Sequence, residues 1–477
     1  MHKTLASYIS ALYFMVSDSS RRKVLLAAAL GSSLAPFMVS AFIVALPSIG
    51  REFSADAAML GWVTSAFFLA SAVFLVPIGR LADRSGIKKI FTAGIGVYAF
   101  SSLLVIFAPS VEALIAARFV TGIGAAMIFG TSIALVSLVF PEAERGKAIG
   151  INVTAMAVGF LLGFFSGGFL TYYLGWRSIV AVLIPLEIFI VWLILSRLRG
   201  ECEISRQREL DPAGMVLFGA GMFCLMVGFA ILPRQSGGAL LAGGLACVIA
   251  FIWHEGRIKT PLLNVRQLGR NRLFVMANLI ALLFNTANFA IIFLMSLYLQ
   301  SVRGIDPRVS GLILLVPIIF MAGLSAYAGR LADRIDPRIV IGSGITATTI
   351  SLFLLTSLEK DTPMPLILVA LILMGSSIAL FQSPLVRTLV SSVPREVYAL
   401  ASGMVETMRL AGMTISISIT VIIFTLTGAG ASTGGAASPA NITALHMIFW
   451  ILLSVSICAL VATITLRKRQ DPSVLGS

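Results

Sequence analysis

Charge is what this 477-residue chain has least of: Asp, Glu, Lys and Arg together make up 12% of it, about half the ~25% of soluble domains. So few charged groups do not cover a water-soluble surface, and 58% apolar residues at a mean hydropathy of +0.99 demand burial. Soluble enzymes, disordered proteins and secreted disulfide scaffolds are excluded. Cysteine is equally sparse. Of the four, Cys224, Cys247 and Cys458 lie inside apolar runs and Cys202 in a charged loop, with no metal-ligand spacing, so neither a metal nor a cofactor is expected. No phosphate-binding loop, zinc-protease HExxH or GxSxG elbow occurs, which argues against catalysis and against pumping by the chain's own nucleotide hydrolysis. Strict alternation is missing too, so a membrane barrel is ruled out.

What is present is a series of long apolar runs. About 20 such residues cross ~30 Å of hydrocarbon as a helix. Fourteen candidate spans run over 24–49, 60–78, 90–108, 114–140, 149–174, 178–196, 212–232, 239–254, 274–300, 311–328, 339–358, 366–386, 402–427 and 443–466, the eighth being short and glycine-rich. The fold class is therefore an all-α polytopic membrane protein. With a cytoplasmic N-terminus, 27 of the 35 basic residues fall on the inner side and six, Arg51, Arg177, Arg234, Arg303, Arg308 and Lys360, on the outer side. This is the positive-inside bias, and it accounts for the net charge of +14 without nucleic acid. An even number of spans between 197–211 and 256–273 keeps that bias. Both termini are expected in the cytoplasm. The first run is too long for a cleavable signal, and Leu5, Ile9 and Leu12 before it share a helix face, suiting either an interfacial helix or a frayed tail.

One motif occurs twice. GRLADRSGIKK (Gly79 to Lys89) follows the second span and GRLADRIDPR (Gly329 to Arg338) the tenth, 250 positions apart. The chain thus divides into two six-helix bundles with two inserted helices: 1–23 as N-terminal segment, 24–200 and 274–466 as bundles, 201–273 as the insert and 467–477 as tail. Parallel repeats place a substrate path between the halves, near the midplane.

Two six-helix halves with this motif in the loop between spans 2 and 3 resemble the major facilitator superfamily, and fourteen spans resemble its drug:proton antiporter branch. RFVTGIGAA (Arg118 to Ala126), GFLLGFFSGG (Gly159 to Gly168), GWR (Gly175 to Arg177) and ASGMVETMR (Ala401 to Arg409) add to the likeness. The resemblance implies that Gly79, Asp83, Arg84 and Gly86, with Gly329, Asp333 and Arg334 in the second copy, form a conformational latch in tight turns between helix ends. It implies a part in proton transfer for Arg118. Two departures stand out. Phe164 replaces the proline of the family's glycine-rich antiporter motif, and the Met38 region of span 1 holds no acid where drug antiporters carry Asp.

The residues themselves offer substitutes. Glu187, near the middle of span 6, and Glu406, in span 13 one turn before Arg409, are intramembrane carboxylates. An unpaired carboxylate in a low dielectric favours its neutral form, the chemistry proton exchange needs. Each also has a plain structural reading: a protonated hydrogen-bonding group for Glu187, a local ion pair for Glu406 and Arg409. Gly159, Gly163 and Gly167 share one helix face and permit close packing. Asn152, Asn285, Asn288 and Gln382 are cavity-lining candidates, with Thr286, Phe67, Phe68, Phe284 and Phe289 nearby; interhelical hydrogen bonding is the alternative. The expected function is proton-coupled efflux of lipophilic or cationic drugs by alternating access, by a monomer in a prokaryotic cell membrane whose partners are a small-molecule substrate, protons and lipid. A solute carrier of the same fold without antiport, and a non-transporting subunit or receptor, are the alternatives.

Overall fold

The computed structural model describes residues 18–197, 211–232, 234–258, 271–391, 398–428 and 439–464, and all regular structure among them is helical. Fourteen helices follow one another: α1 Asp18–Phe53, α2 Ala57–Ser85, α3 Ile87–Ile106, α4 Val111–Val139, α5 Glu142–Leu174, α6 Arg177–Arg197, α7 Pro212–Ala230, α8 Gln235–Glu255, α9 Arg272–Leu297 with a π-helical turn Tyr298–Val302, α10 Pro307–Arg334, α11 Pro337–Leu355, α12 Met364–Ser391, α13 Tyr398–Thr427 and α14 Pro439–Ile464. Each contains an apolar stretch long enough to cross a bilayer. Because fourteen is even, α1 begins and α14 ends on one side, called the terminal face below; the other is the distal face.

Local chemistry sets several helix ends. Asp56 and Asp306, again 250 apart, cap α2 and α10. Asp56 accepts from the Met59 amide at 2.7 Å, and Asp306 from the Arg308 and Val309 amides at 2.9 and 3.2 Å. Pro36, Pro47, Pro77 and Pro317 lie inside helices, and the Ser40 hydroxyl donates back to the Pro36 carbonyl one turn earlier at 2.9 Å.

One expectation needs correction. Gly79–Arg84 and Gly329–Arg334 are not interhelical turns but the closing helical turns of α2 and α10. A basic residue in each last turn suits the negative end of the helix dipole. Only Gly86 makes the first turn, at φ 99°, a conformation open to glycine. Leu5, Ile9, Leu12, Cys202 and the side chain of Asp333 lie outside the described residues.

The two bundles are α1–α6 and α9–α14, and their close approaches repeat with the sequence. A Cβ on Gly94 of α3 would lie 2.7 Å from the Met127 Cβ of α4; on Gly344 of α11, 250 residues later, it would lie 3.0 Å from the Ser377 carbonyl of α12. Gly122 of α4 presses on the Phe67 carbonyl of α2, and Gly375 of α12 on the Pro317 carbonyl of α10. The halves meet along two seams, α2 with α13 and α5 with α10. At matched positions Gly61 touches Val421 of α13, and Gly311 touches the Phe164 carbonyl of α5. The α7–α8 hairpin packs outside, against α2 and α13.

Gly122→Val and Gly375→Val should each destabilise the purified protein by ~1–3 kcal/mol through overpacking, read as a lower thermal midpoint in detergent. Gly96→Val and Gly342→Val, where a Cβ meets nothing within 4 Å, should leave it unchanged.

Candidate functional site

The halves are fastened together on the distal side. From α9, the Ser296 hydroxyl donates to the Ile43 carbonyl of α1 at 2.6 Å, and the Gln300 amide to the Val44 carbonyl at 2.8 Å. On the α5–α10 seam, Arg308 donates to the Tyr173 hydroxyl at 2.9 Å and lies 3.9 Å over the Tyr172 ring. Asp306 holds Arg308 in place, and that guanidinium keeps the Asp306 carboxyl below its ordinary range. A depressed carboxylate pKa means that the stabilisation is complete above ~4 and is lost only as pH falls through the lowered value. Within the N-terminal half, Arg177 of the GWR sequence ties α6 to Glu52 of α1 and to the Ile106 and Ala108 carbonyls at 3.0 and 3.2 Å, and Trp176 donates to Glu52 at 2.7 Å.

Toward the terminal face the halves part. The central helices α1 and α9 touch near their distal ends, yet each exposes a leucine farther down, Leu26 at 45% and Leu279 at 40%. Gly146 and Gly150 of α5, Gly323 of α10 and Gly403 of α13 have nothing within 4 Å of a Cβ. The result is a crevice open on the terminal side. One contact between the halves is aromatic: Phe68 of α2 meets Phe289 of α9 edge-on, centroids 4.8 Å apart. Phe67 turns instead toward Arg118, and Phe284 stacks on Phe381 at 3.7 Å inside the C-terminal half.

The ionisable residues sit in three different settings. Glu187 is fully buried among α1, α3 and α6, away from the other half. The Ser102 hydroxyl donates to its Oε1 at 2.9 Å, and Oε2 has no partner among the described residues. Tyr98 beside it donates to the Leu34 carbonyl at 3.3 Å. Arg118, about two turns into α4, is also buried. It is boxed between the Phe42 and Phe67 rings at 4.5 and 4.8 Å; its Nε donates to the Val63 carbonyl at 3.4 Å and Nη1 is unpartnered among the described residues. Glu406 and Arg409 form a two-pronged ion pair on α13, one bond at 2.8 Å, which offsets the cost of both charges in a low dielectric. Met38, in place of the family's acid, is buried in α1.

The amide candidates divide likewise. Asn288 donates to Thr348 at 3.1 Å and Ser377 at 3.2 Å, so its amide serves packing inside the C-terminal half. Asn285 and Thr286 bond back to their own helix at 2.7 and 2.8 Å. Asn152 is buried with neither amide atom partnered among the described residues, and Gln382 is exposed. Gly159, Gly163 and Gly167 all lie on α1, against Ser33, Phe37 with Ser40, and Ala41. Phe164 is buried at the α5–α10 seam. Asp83, Arg84 and Arg334 are exposed at the terminal face. Among the described residues no cluster of His, Cys, Asp or Glu suits a metal. Sequence reasoning missed Ser296 and Gln300, and read Arg308 only as a distal charge. The one signal for its partners was the Tyr172–Tyr173 pair at a span end, a typical interfacial position.

The geometry now meets known proteins. The Major Facilitator Superfamily pattern matches residues 28–417 and, separately, 279–476. The multidrug resistance protein Stp of Mycobacterium tuberculosis is 32% identical over 84% of this chain and 75% of its own length. The riboflavin transporter RibZ of Clostridioides difficile is 24% identical over 90% of this chain and 94% of its own. Among solved structures, a bacterial homologue of the human lysosomal transporter Spinster, inward-facing and unoccupied, superposes with a TM-score of 0.68 at 17% identity, covering 95% of this chain and 100% of that one. Paired bundles and a crevice between them suit a carrier, and this chain is a multi-pass transporter of the Major Facilitator Superfamily.

Proposed function

We propose that this transporter exports lipophilic drug-like molecules from the cytoplasm by alternating access, driven by protons moving the other way. The observation that carries the reading is Glu187: a carboxyl sealed within a bundle, with one oxygen held by Ser102 and the other unpartnered among the described residues. An uncompensated charge there is costly, so protonation and deprotonation change the energy of the packing around it. Because Glu187 lies outside the crevice, a proton at this site acts on the substrate only through the arrangement of α1, α3 and α6. The excess of basic residues in its loops supports a cytoplasmic terminal face, and with it cytoplasmic termini. The closed distal seams and open terminal crevice then make an inward-facing state, ready to load from inside. Gly79, Asp83, Arg84 and Gly86, with Gly329, Asp333 and Arg334, latch that side when it closes. Stp, named for multidrug resistance, supports the direction and the substrate class.

A second reading, a carrier for one specific solute without antiport, has its own support. Glu406 is committed to Arg409, α1 has no acid in its membrane-spanning part, and the relative RibZ is named for a single vitamin.

In proteoliposomes, Glu187→Gln should lower dye efflux driven by an imposed pH gradient at least tenfold while leaving substrate exchange at equal pH intact. Equal loss of both, or no loss, removes Glu187 from coupling. Arg308→Ala should loosen the distal seam. A cysteine replacing the buried, similarly sized Thr171, one turn beyond the Gly168 that lies against Pro307 and Arg308, should then react several-fold faster with an impermeant maleimide added from outside, and Arg308→Lys should recover part of the protection.

A further inference from the structure

The two halves repeat, but their flanks do not match. The stretch Leu69–Pro77 of α2 is buried apart from the half-buried Phe74. Its counterpart 250 residues on, Ile319–Tyr327 of α10, is mostly exposed. Leu69 and Ala70 are 4% and 0% exposed, whereas Ile319 and Phe320 are 49% and 38%. Ala70 and Ser71 pack on Gly122 of α4, and at Val73 and Val76 the inserted hairpin supplies the cover. Gly219 of α7 lies against Val73 of α2. Phe218 packs with Val76 of α2, Phe251 of α8 and Met404 of α13, so the hairpin touches both halves at once. Its open end is clasped by Asp211, which accepts from the Gly214 amide at 2.9 Å and pairs with His254 at 3.0 Å. Among the described residues nothing comparable covers α5 and α10. Ile319, Phe320, Ala322, Gly323, Ser325 and Tyr327 are all exposed, and at about 100° per residue they occupy more than half the helix circumference. Such an arc runs without a break from the lipid side into the crevice. On α5 the stripe that meets α10 at Phe164 and Gly168 continues down through Val153, Gly150 and Gly146, and these last three are exposed.

We infer that the α7–α8 hairpin seals one lateral slot of the crevice, and that the α5–α10 slot is the single doorway through which membrane-dissolved substrates enter from the leaflet at the terminal face. This rests on the transport reading above. The doorway's chemistry fixes what it admits: neither 148–171 of α5 nor 309–329 of α10 contains a charged residue, so it takes apolar, uncharged portions of molecules, lipid acyl chains included. A charged, water-confined solute instead has the crevice mouth.

Photocrosslinking tests the doorway without transport. A benzoylphenylalanine at Leu279, on the exposed part of α9, should capture phospholipid in native membranes, and the pair Gly150→Trp and Gly323→Trp should abolish that adduct. Benzoylphenylalanine at Phe218 should crosslink internally to α2 or α13 and give no lipid adduct. In proteoliposomes the tryptophan pair, or Gly323→Leu alone should the pair not fold, should lower kcat/KM at least fivefold for a membrane-partitioned bis-benzimide dye and less than twofold for a sulfonated, impermeant dye. No lipid adduct at Leu279, an adduct insensitive to the substitutions, or an equal loss for both dyes overturns the doorway. A wild-type protein that moves neither dye overturns the transport reading instead, while the crosslinks still report on the slot.

Discussion

Helices in lipid gain little from hiding apolar side chains, because the acyl chains around them are equally apolar, so association depends on how closely two backbones approach. The architecture of this transporter follows from that constraint. At many of the tightest helix contacts a glycine meets a neighbouring backbone: Gly122 on Phe67, Gly375 on Pro317, Gly159, Gly163 and Gly167 on α1, Gly311 on Phe164. Where helices part, glycines face empty space, as Gly150 and Gly323 do. Both seams between the halves are dense toward the distal face and sparse toward the terminal one, and the crevice is the space this gradient leaves.

The same medium governs the charges. Each buried ion needs either a partner or a reason to lack one. Arg409 has Glu406. Among the described residues Arg118 has two aromatic faces and one carbonyl. Glu187 has a single hydroxyl. The ladder from fully paired to barely paired runs from charges whose cost a neighbour offsets to groups that leave buried polar atoms unsatisfied.

Much of this was legible in the sequence because lipid leaves few ways to fold. Span number followed from run length, and the two-half plan from one hexapeptide repeated at a fixed interval. The coarse division of charge between faces needed only counting. Partner choice was not legible. Asn288 and Asn285 look alike along the chain, yet one joins three helices and the other bonds its own, a difference set by how α9 is rotated in its bundle. The latch sequence is helical rather than a turn because apolar patterning ends before the helix does: polar residues continue it into the headgroup zone. The distal clasp joins Arg308 to residues 135 positions earlier, a contact no local pattern encodes. The seal made by α7 and α8 was equally hidden, since the sequence counts two extra helices without saying which flank they cover.

The widened turn that ends α9 has a consequence of its own. Tyr298 and Arg303 are five residues apart, which on an ordinary helix would set them ~140° around the axis from each other. The π-turn, with its Arg303 amide bonded to the Tyr298 carbonyl at 3.0 Å, rotates them into near alignment. Both then grip the same neighbouring loop, Tyr298 on the Glu359 carbonyl at 2.6 Å and Arg303 on the Thr362 carbonyl at 2.8 Å. Gln300, between them, is left pointing at the opposite bundle. One irregular turn is thereby anchored twice to its own bundle while a single hydrogen-bond arm reaches across to the other, so the grip between the halves and the grip within one half rest on separate side chains.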